Sequence, residues 1–460
     1  VGKIAWRLQR TWRTWTQGAA PDVPPEEDTE PGAAVSAEAL DVVLRVGELL
    51  LTSGESTERV TEAMYGLAVA YELPRCEVQV SFTGLLVSVH PGHGFPPVTG
   101  SRAIRRRTPA YWRLPALHAL VQDASIGMLE PAQAHQRLAE IKWARAPYPR
   151  WALVAALGLI AASASVLSGG GPVAAATAFG ATVLGDRAAA VLARRGVAEF
   201  YQLAIAAAIA TAAAALVVWV GTPARASAVV TGAILALLPG RPLVASIQDG
   251  ITGDLVSAGA RLLEVFFMIA AIVAGVGLVV YTAVRLHFPI DVSRLPSAPL
   301  TLEPVTVLAA AGVSAAFAIS LAARRDVLLA VSLGGALIWT LFVLLRGQGV
   351  PPVVASAVAA TVLGLLANAL AVHRRVPVLP YVVPIIGPLL PGGLLFQGMV
   401  ELNTGAPRHG LLSLIGALSV ALALAAGVNL GGELVRAFRR IGLSASGRWA
   451  RPAARRTRGY

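Results

Sequence analysis

Ten apolar stretches crowd the chain beyond Trp151, at about 152–167, 173–192, 200–220, 226–238, 262–284, 304–323, 327–345, 353–372, 378–400 and 411–434. Most approach the ~20 residues needed to cross a hydrocarbon layer, although the first is short and the fourth shorter still. Backbone polar groups in lipid must bond one another, so helices are the economical reading. Charged residues make up only 14% of the chain, against roughly a quarter in an ordinary soluble domain, which excludes an average cytosolic enzyme.

The charge is unevenly placed. Residues 1–150 hold 16 Lys+Arg against 16 Asp+Glu and residues 151–460 hold 22 against 10, so the whole +12 excess lies in the apolar part. That excludes a basic nucleic-acid domain. With the segment before Trp151 in the cytoplasm, loops and tail put 17 Arg inside and five outside (Arg225, Arg285, Arg294, Arg346 and Arg408), as the positive-inside rule requires. The ten-span reading places both termini inside. The basic tail, Arg451 to Arg458, is expected to anchor to anionic lipid.

Ahead of the spans the character is mixed. Ile4, Leu8, Trp12 and Trp15 form one helical stripe beside Lys3, Arg7, Arg10 and Arg13, the layout of a helix lying on an anionic membrane surface. Residues 18–35, rich in Pro and acid, are expected to be a disordered linker. Ser36 can cap a helix that Gly54 ends, Ser56 starts a second, Glu77 to His90 reads as one or two strands, and Pro115 to Lys142 returns to helix with an interruption at Pro131. The single cysteine, Cys76, excludes an intramolecular disulfide. His90-Pro-Gly-His93 brings two imidazoles close without a third ligand, and the chain has no Walker A run. Neither a metal or other cofactor nor ATP-driven chemistry is expected.

The most informative pattern is a repeat. Leu238-Pro239-Gly240, Leu243, Asp249 and Gly253 match Leu390-Pro391-Gly392, Leu395, Glu401 and Gly405, each pair 152 residues apart. The same shift carries the first five apolar stretches onto the second five. Five is odd, so the halves must be inverted relative to one another, the construction in which a transport site lies at the repeat interface. Proline removes a backbone donor and glycine relaxes the chain, so each Leu-Pro-Gly should stop one helix and start another, leaving a positive helix end suited to a carboxylate.

Ionisable groups within spans are costly and therefore functional candidates. Asp249 and Glu401 lead, being repeat-equivalent, and either could carry a proton if burial raised its pKa. Asp254, Arg261 and Glu264 follow and can form a structural ion pair instead, as can Asp186 with Arg187. Asn368, Gln397, Asn403 and Asn429 can bond a ligand or join helices.

With these residues in view, the chain resembles the threonine/serine exporters of bacteria. The resemblance rests on Leu50-Leu51-Thr52-Ser53-Gly54-Glu55-Ser56-Thr57-Glu58-Arg59-Val60 with Ser81-Phe82-Thr83-Gly84, on Leu238-Pro239-Gly240-Arg241-Pro242-Leu243 continuing through Asp249-Gly250-Ile251-Thr252-Gly253-Asp254-Leu255-Val256-Ser257, and on Pro388-Leu389-Leu390-Pro391-Gly392-Gly393. It covers about residues 36–435, and Arg241 departs from the small residue expected there. The resemblance implies export of threonine and serine, driven by the proton gradient, through ten spans of a bacterial inner membrane behind a cytoplasmic N-terminal domain. A related branch is associated with dicarboxylate export.

The expected fold is therefore a polytopic α-helical membrane protein, ten transmembrane helices as two inverted five-helix repeats with an N-terminal cytoplasmic α/β domain. Its expected parts are a basic amphipathic segment and linker (1–35), the α/β domain (36–149), repeat 1 (150–285), an extracytoplasmic loop (286–302), repeat 2 (303–435) and a basic cytoplasmic tail (436–460). The expected substrate and proton pathway is Pro239, Gly240, Asp249, Gly253, Asp254, Pro391, Gly392 and Glu401, and the family motif of the soluble domain is Ser53, Gly54, Thr57 and Arg59. Expected partners are threonine, serine or a similar small carboxylate, protons and anionic lipid, with no nucleic acid; a homo-oligomer is a further expectation. The alternatives are a dicarboxylate exporter, a membrane-anchored enzyme acting through residues 36–149, and a passive channel.

Overall fold

The computed structural model describes residues 36–92, 95–104, 110–222, 224–238, 240–286, 302–374, 376–403 and 406–445. The surface helix and linker expected before Ser36, His93, Pro239, Gly405, most of the 286–302 loop and the tail beyond residue 445 lie outside these residues. The chain divides into two compact units, Val1–Ala146 with Arg436–Tyr460, and Pro147–Val435.

The first unit is α/β. Helix α1 (Ala37–Ser53) starts where the Ser36 hydroxyl accepts from the Ala39 amide at 3.2 Å, and it stops at Gly54, whose φ of 105° is left-handed. Gly54 N–H then reaches Leu51 O and Glu55 N–H reaches Leu50 O, satisfying the last carbonyls of the helix. Ser56 caps α2 (Thr57–Ala70). The Glu77–His90 region forms β1 (Cys76–Val80) and β2 (Gly84–Val89), and a third strand, β3 (Val98–Ala103), completes an antiparallel sheet in the order β1-β2-β3. The sequence reading stopped at two strands because β3, Val-Thr-Gly-Ser-Arg-Ala, has no apolar alternation. It is held by pairing with β2, Gly84 opposite Ala103 and Val89 opposite Val98, and by Arg102, which binds Asp41 at 2.6 Å and Glu48 at 3.1 Å on α1. Helices α3 (Leu114–Ser125) and α4 (Pro131–Trp143) fall either side of the expected break. Leu85, Val87 and Val89 point inward with Val42, Val46, Met64, Leu114 and Leu117 to form the core.

The second unit is all helix: α5 (Arg150–Leu167), α6 (Pro172–Arg194), α7 (Glu199–Trp219), α8 (Ala226–Leu237), α9 (Gly240–Thr252) and α10 (Leu255–Arg285), then α11 (Pro304–Ser320), α12 (Leu328–Gly347, after a 3-10 turn Arg325–Val327), α13 (Pro352–Arg374), α14 (Leu379–Ile386, extended by a 3-10 turn Gly387–Leu389), α15 (Gly392–Asn403) and α16 (Pro407–Ala445). Among the described residues, six helices are long and apolar enough to cross a membrane, or eight when each bent pair counts as one span. The bent pairs are α8 with α9, at 55°, and α14 with α15, at 49°. Of the ten apolar stretches, the two that fall outside this set are α6, with Asp186 and Arg187 in its second half, and α11, which is 17 residues long.

Packing follows the 152-residue repeat. Helix α9 begins at Gly240 and α15 at Gly392, and α10 begins at Leu255 and α16 at Pro407. In the first six helices α5 packs on α6 and α8, α6 on α7 and α8, and α7 on α8; in the second six α11 packs on α12 and α14, α12 on α13 and α14, and α13 on α14. Helix α5 also packs on its own counterpart, α11. Small residues permit these approaches, since without water between them helices associate by close contact. A side chain at Gly275 of α10 would overlap the Ala204 carbonyl of α7, and one at Gly427 of α16, 152 residues on, would overlap the Ala357 carbonyl of α13.

Overpacking such a contact costs about 1–3 kcal/mol. Gly275→Leu and Gly427→Leu should each lower the thermal midpoint of the detergent-solubilised protein, whereas Gly180→Leu, where an added side chain meets open space, should not. Equal midpoints for all three variants would contradict the packing described.

Candidate functional site

The two helix breaks lie against each other. A Cβ on Gly240 would come 2.6 Å from Cδ1 of Leu390, and one on Gly392 would come 3.1 Å from Leu235 Cδ1 and 3.6 Å from Leu238 Cδ1. Each glycine is the first residue of the short helix after its break, so the missing side chains let the starts of α9 and α15 approach across the repeat. Leu390, buried Leu389 and Pro391 complete the second break; Pro239 of the first is outside the described residues. A small cavity beside α15 is lined by Thr211 and Ala214 of α7, Ser227 and Val230 of α8, Val280 of α10 and Phe396 of α15. It brings together helices from both halves.

Each short helix doubles back onto the long helix that follows, and each hairpin carries its acid at the same place. In the first hairpin, Asp249 of α9 faces Arg261 of α10, with Nε 2.7 Å from Oδ2 and side-chain exposures of only 1% and 7%. Gly253 makes the turn possible with φ 93°. Asp254 accepts from the Ser257 amide at 3.1 Å, capping α10 rather than pairing with Arg261. Arg261 thus pairs with Asp249, which was expected as a proton group, rather than with Asp254, because the turn spends Asp254 on the helix end. Ser246 donates to Ala258 O at 2.9 Å and draws the two helices together.

In the second hairpin, Glu401 of α15 accepts from Ser413 Oγ of α16 at 2.7 Å and from Gln397 Nε2, one turn back, at 2.9 Å. Ser413 stands 152 residues after Arg261, so the acid meets the equivalent position in both hairpins. Gly398 and Gly410, the equivalents of Ser246 and Ala258, are likewise in close approach. Ser413 escaped the sequence reading, although applying the 152-residue shift to Arg261 would have found it. Among the other named residues, Asp186 binds Arg187 at 2.6 Å as a local surface pair, and Asn368 donates to Gly364 O within α13.

The motif of the α/β unit has a different use for its residues. Ser53 ends α1, Gly54 supplies the left-handed turn, Ser56 accepts from the Arg59 amide at 3.5 Å, and Thr57 begins α2 as a buried residue. Glu55, at the junction, is 2% exposed; His118 Nε2 of α3 lies 3.2 Å from its Oε2 and Arg59 Nε 4.0 Å from its Oε1. Burial pushes the Glu55 carboxyl up, but the hydrogen bond from His118 and the Arg59 charge outweigh it and hold the group below the usual carboxylate range. No spacing rule ties Glu55 to a histidine 63 residues away, so the sequence reading could not pair them. Cys76 is half-buried, and burial together with Glu77 pushes its thiol up to about 11. It is therefore an unreactive thiol at neutral pH.

A chain of this build, with six to eight candidate spans among the described residues, is a polytopic helical membrane protein. It belongs to the threonine/serine exporter family: residues 41–283 match the family model described as "Putative threonine/serine exporter", and residues 306–432 match a second, "Threonine/Serine exporter, ThrE". The "Probable threonine/serine exporter" of Mycobacterium tuberculosis is 33% identical over 409 residues, covering 87% of this chain and 77% of the relative. The "Threonine/serine exporter" of Corynebacterium glutamicum is 30% identical over 412 residues, covering 87% and 83%. No solved structure matches the chain.

Two stability predictions follow from the site geometry. Asp249→Asn removes the carboxylate that buried Arg261 faces and should cost about 3–5 kcal/mol, whereas Asp249→Asn with Arg261→Gln should recover most of that; thermal unfolding of the four proteins of the cycle measures it, and an additive double variant would contradict the pairing. In the α/β unit, the folded pKa of Glu55 lies below its unfolded value of ~4.3. Its contribution is present above that value and is lost as pH falls through the folded pKa. His118→Ala should remove about 2 kcal/mol at pH 7 and raise the pH of acid unfolding, read by amide exchange in α1 and α2; unchanged exchange at both pH values would contradict it.

Proposed function

We propose that the protein is a secondary active exporter of small hydroxy amino acids, threonine and serine, coupled to protons and working by alternating access between two inverted repeats in a bacterial inner membrane. The observation that carries this is the meeting of the two breaks: Gly240 against Leu390, and Gly392 against Leu235 and Leu238. Helix starts that converge from two halves present partial positive charge at one place, which suits the carboxylate of an amino acid. The names of the relatives agree with the substrate class.

In this reading Pro239, Gly240, Pro391 and Gly392 shape the ligand site, Gly253 and Asp254 fix the first hairpin, and Asp249 and Glu401 are the candidate proton groups. The soluble segment 36–149 and the tail 436–460 are cytoplasmic, repeat 1 spans 150–285, the 286–302 loop is extracytoplasmic, and repeat 2 spans 303–435. The soluble segment regulates access from the cytoplasm, with Ser53, Gly54, Thr57 and Arg59 setting the α1–α2 junction. An anionic dicarboxylate would call for positive charge at the site, and the charge of Arg261 is already committed to Asp249; this favours an amino acid.

Counterflow in proteoliposomes with labelled threonine, serine and succinate, with and without an imposed pH gradient, tests the reading. Exchange of threonine and serine that responds to the gradient is expected. Exchange of succinate alone would replace the reading with a dicarboxylate exporter, threonine flux indifferent to the gradient would reduce it to a passive path, and no exchange of any of the three would overturn it.

A further inference from the structure

We propose that, of the two repeat-related acids, Glu401 alone carries the proton, and that Asp249 with Arg261 is a charge-neutral clasp that stays ion-paired through the cycle. This assignment rests on the exporter reading above and decides between the two acids that reading leaves equal.

The two hairpins share one design. In each, the acid stands ten residues beyond the proline of Leu-Pro-Gly and meets a side chain twelve residues further on. The helices also approach at one equivalent point, Ser246 with Ala258 in the first and Gly398 with Gly410 in the second. What differs is the chemistry opposite the acid. Asp249 meets a guanidinium, which has donors only and does not deprotonate in proteins. Both members of that pair are almost fully buried. Adding a proton to Asp249 would remove the negative charge that faces Arg261 across a buried ion pair, a costly change. Asp249 is therefore held as a carboxylate.

Glu401 meets a hydroxyl and an amide instead, from Ser413 and Gln397. A serine hydroxyl can either donate or accept, and a glutamine amide offers a carbonyl once it turns over. The same two partners can bond the carboxylate by donating and the neutral acid by accepting its O–H, so neither protonation state strands a polar group. Glu401 is also only partly buried, where Asp249 is closed off. A proton arriving at Glu401 binds one carboxylate oxygen and turns COO⁻ into COOH; release returns it, and no other bond changes. Of the ionisable groups on the packed helices, α8 contributes none between Ala226 and Leu237, α10 carries Arg261, Glu264, Tyr281 and Arg285, and α16 carries Arg408, His409, Glu433 and Arg436 among its described side chains. Among them His409 stands at the start of α16, eight residues beyond Glu401 in sequence.

The test measures, in proteoliposomes, the ratio of gradient-driven threonine accumulation to threonine–threonine exchange. Wild type sets the reference ratio. Glu401→Gln should lower that ratio at least tenfold, Glu401→Asp should restore part of it, and His409→Asn should leave it within about twofold. Asp249→Asn with Arg261→Gln, or the swapped Asp249→Arg with Arg261→Asp should the first fail to fold, should also keep it within about twofold, whatever the absolute rate. A Glu401→Gln protein that retains the wild-type ratio overturns the assignment, as does a neutral or swapped clasp that loses it. Wild-type exchange that ignores the gradient overturns the assignment and leaves the amino-acid path standing, whereas wild type that moves no threonine overturns the exporter reading itself.

Discussion

Everything in the membrane unit is arranged around one close contact, the packing of the first Leu-Pro-Gly break onto the second. Gly240 stands where a side chain would overlap the end of Leu390, and Gly392 where one would sit tightly against Leu235 and Leu238, so glycine at the start of both short helices lets the breaks come close. From that contact the rest follows in order. Each short helix turns back on a long one, each hairpin holds an acid, and small residues at Gly275 and Gly427 let the long helices close on α7 and α13.

The two hairpins show how one scaffold can hold two different groups. Backbone approach is conserved by the repeat at Ser246–Ala258 and Gly398–Gly410, while the residue opposite the acid changes from Arg261 to Ser413. A buried ion pair resists change because either partner alone is costly to bury. A carboxylate held by neutral donors has a second accommodated state. The same hairpin geometry thus sets a guanidinium opposite one acid and a hydroxyl opposite the other.

The parts legible in the sequence were those written by local chemistry. Ser36 and Gly54 mark α1 because capping and a left-handed turn need those residue types, and the 152-residue shift relates the helices because apolar length and Leu-Pro-Gly are both local signals. What could not be read depends on residues far apart or on competition between neighbours. Strand β3 has no apolar alternation and exists through pairing with β2 and through Arg102. Glu55 and His118 meet only once α3 packs on α2. Arg261 had Asp254 and Glu264 as nearer candidates in sequence, and the choice of Asp249 became visible only when the Gly253 turn committed Asp254 to capping α10.

The central claim, that the two breaks touch, is open to a direct measurement. In a Cys76→Ser background, cysteines placed at Gly240 and Leu390 should form a disulfide on mild oxidation in native membranes, because the Cβ of residue 240 would lie 3.5 Å from Leu390 Cγ, the place a cysteine sulfur at 390 would take. A second pair at Gly392 and Leu235, whose Cβ atoms would lie 3.8 Å apart, should do the same, while Gly240 paired with Gly180 should not. Cross-linking of both break pairs is the result this account predicts; failure of both, in protein that still inserts and folds, would contradict it.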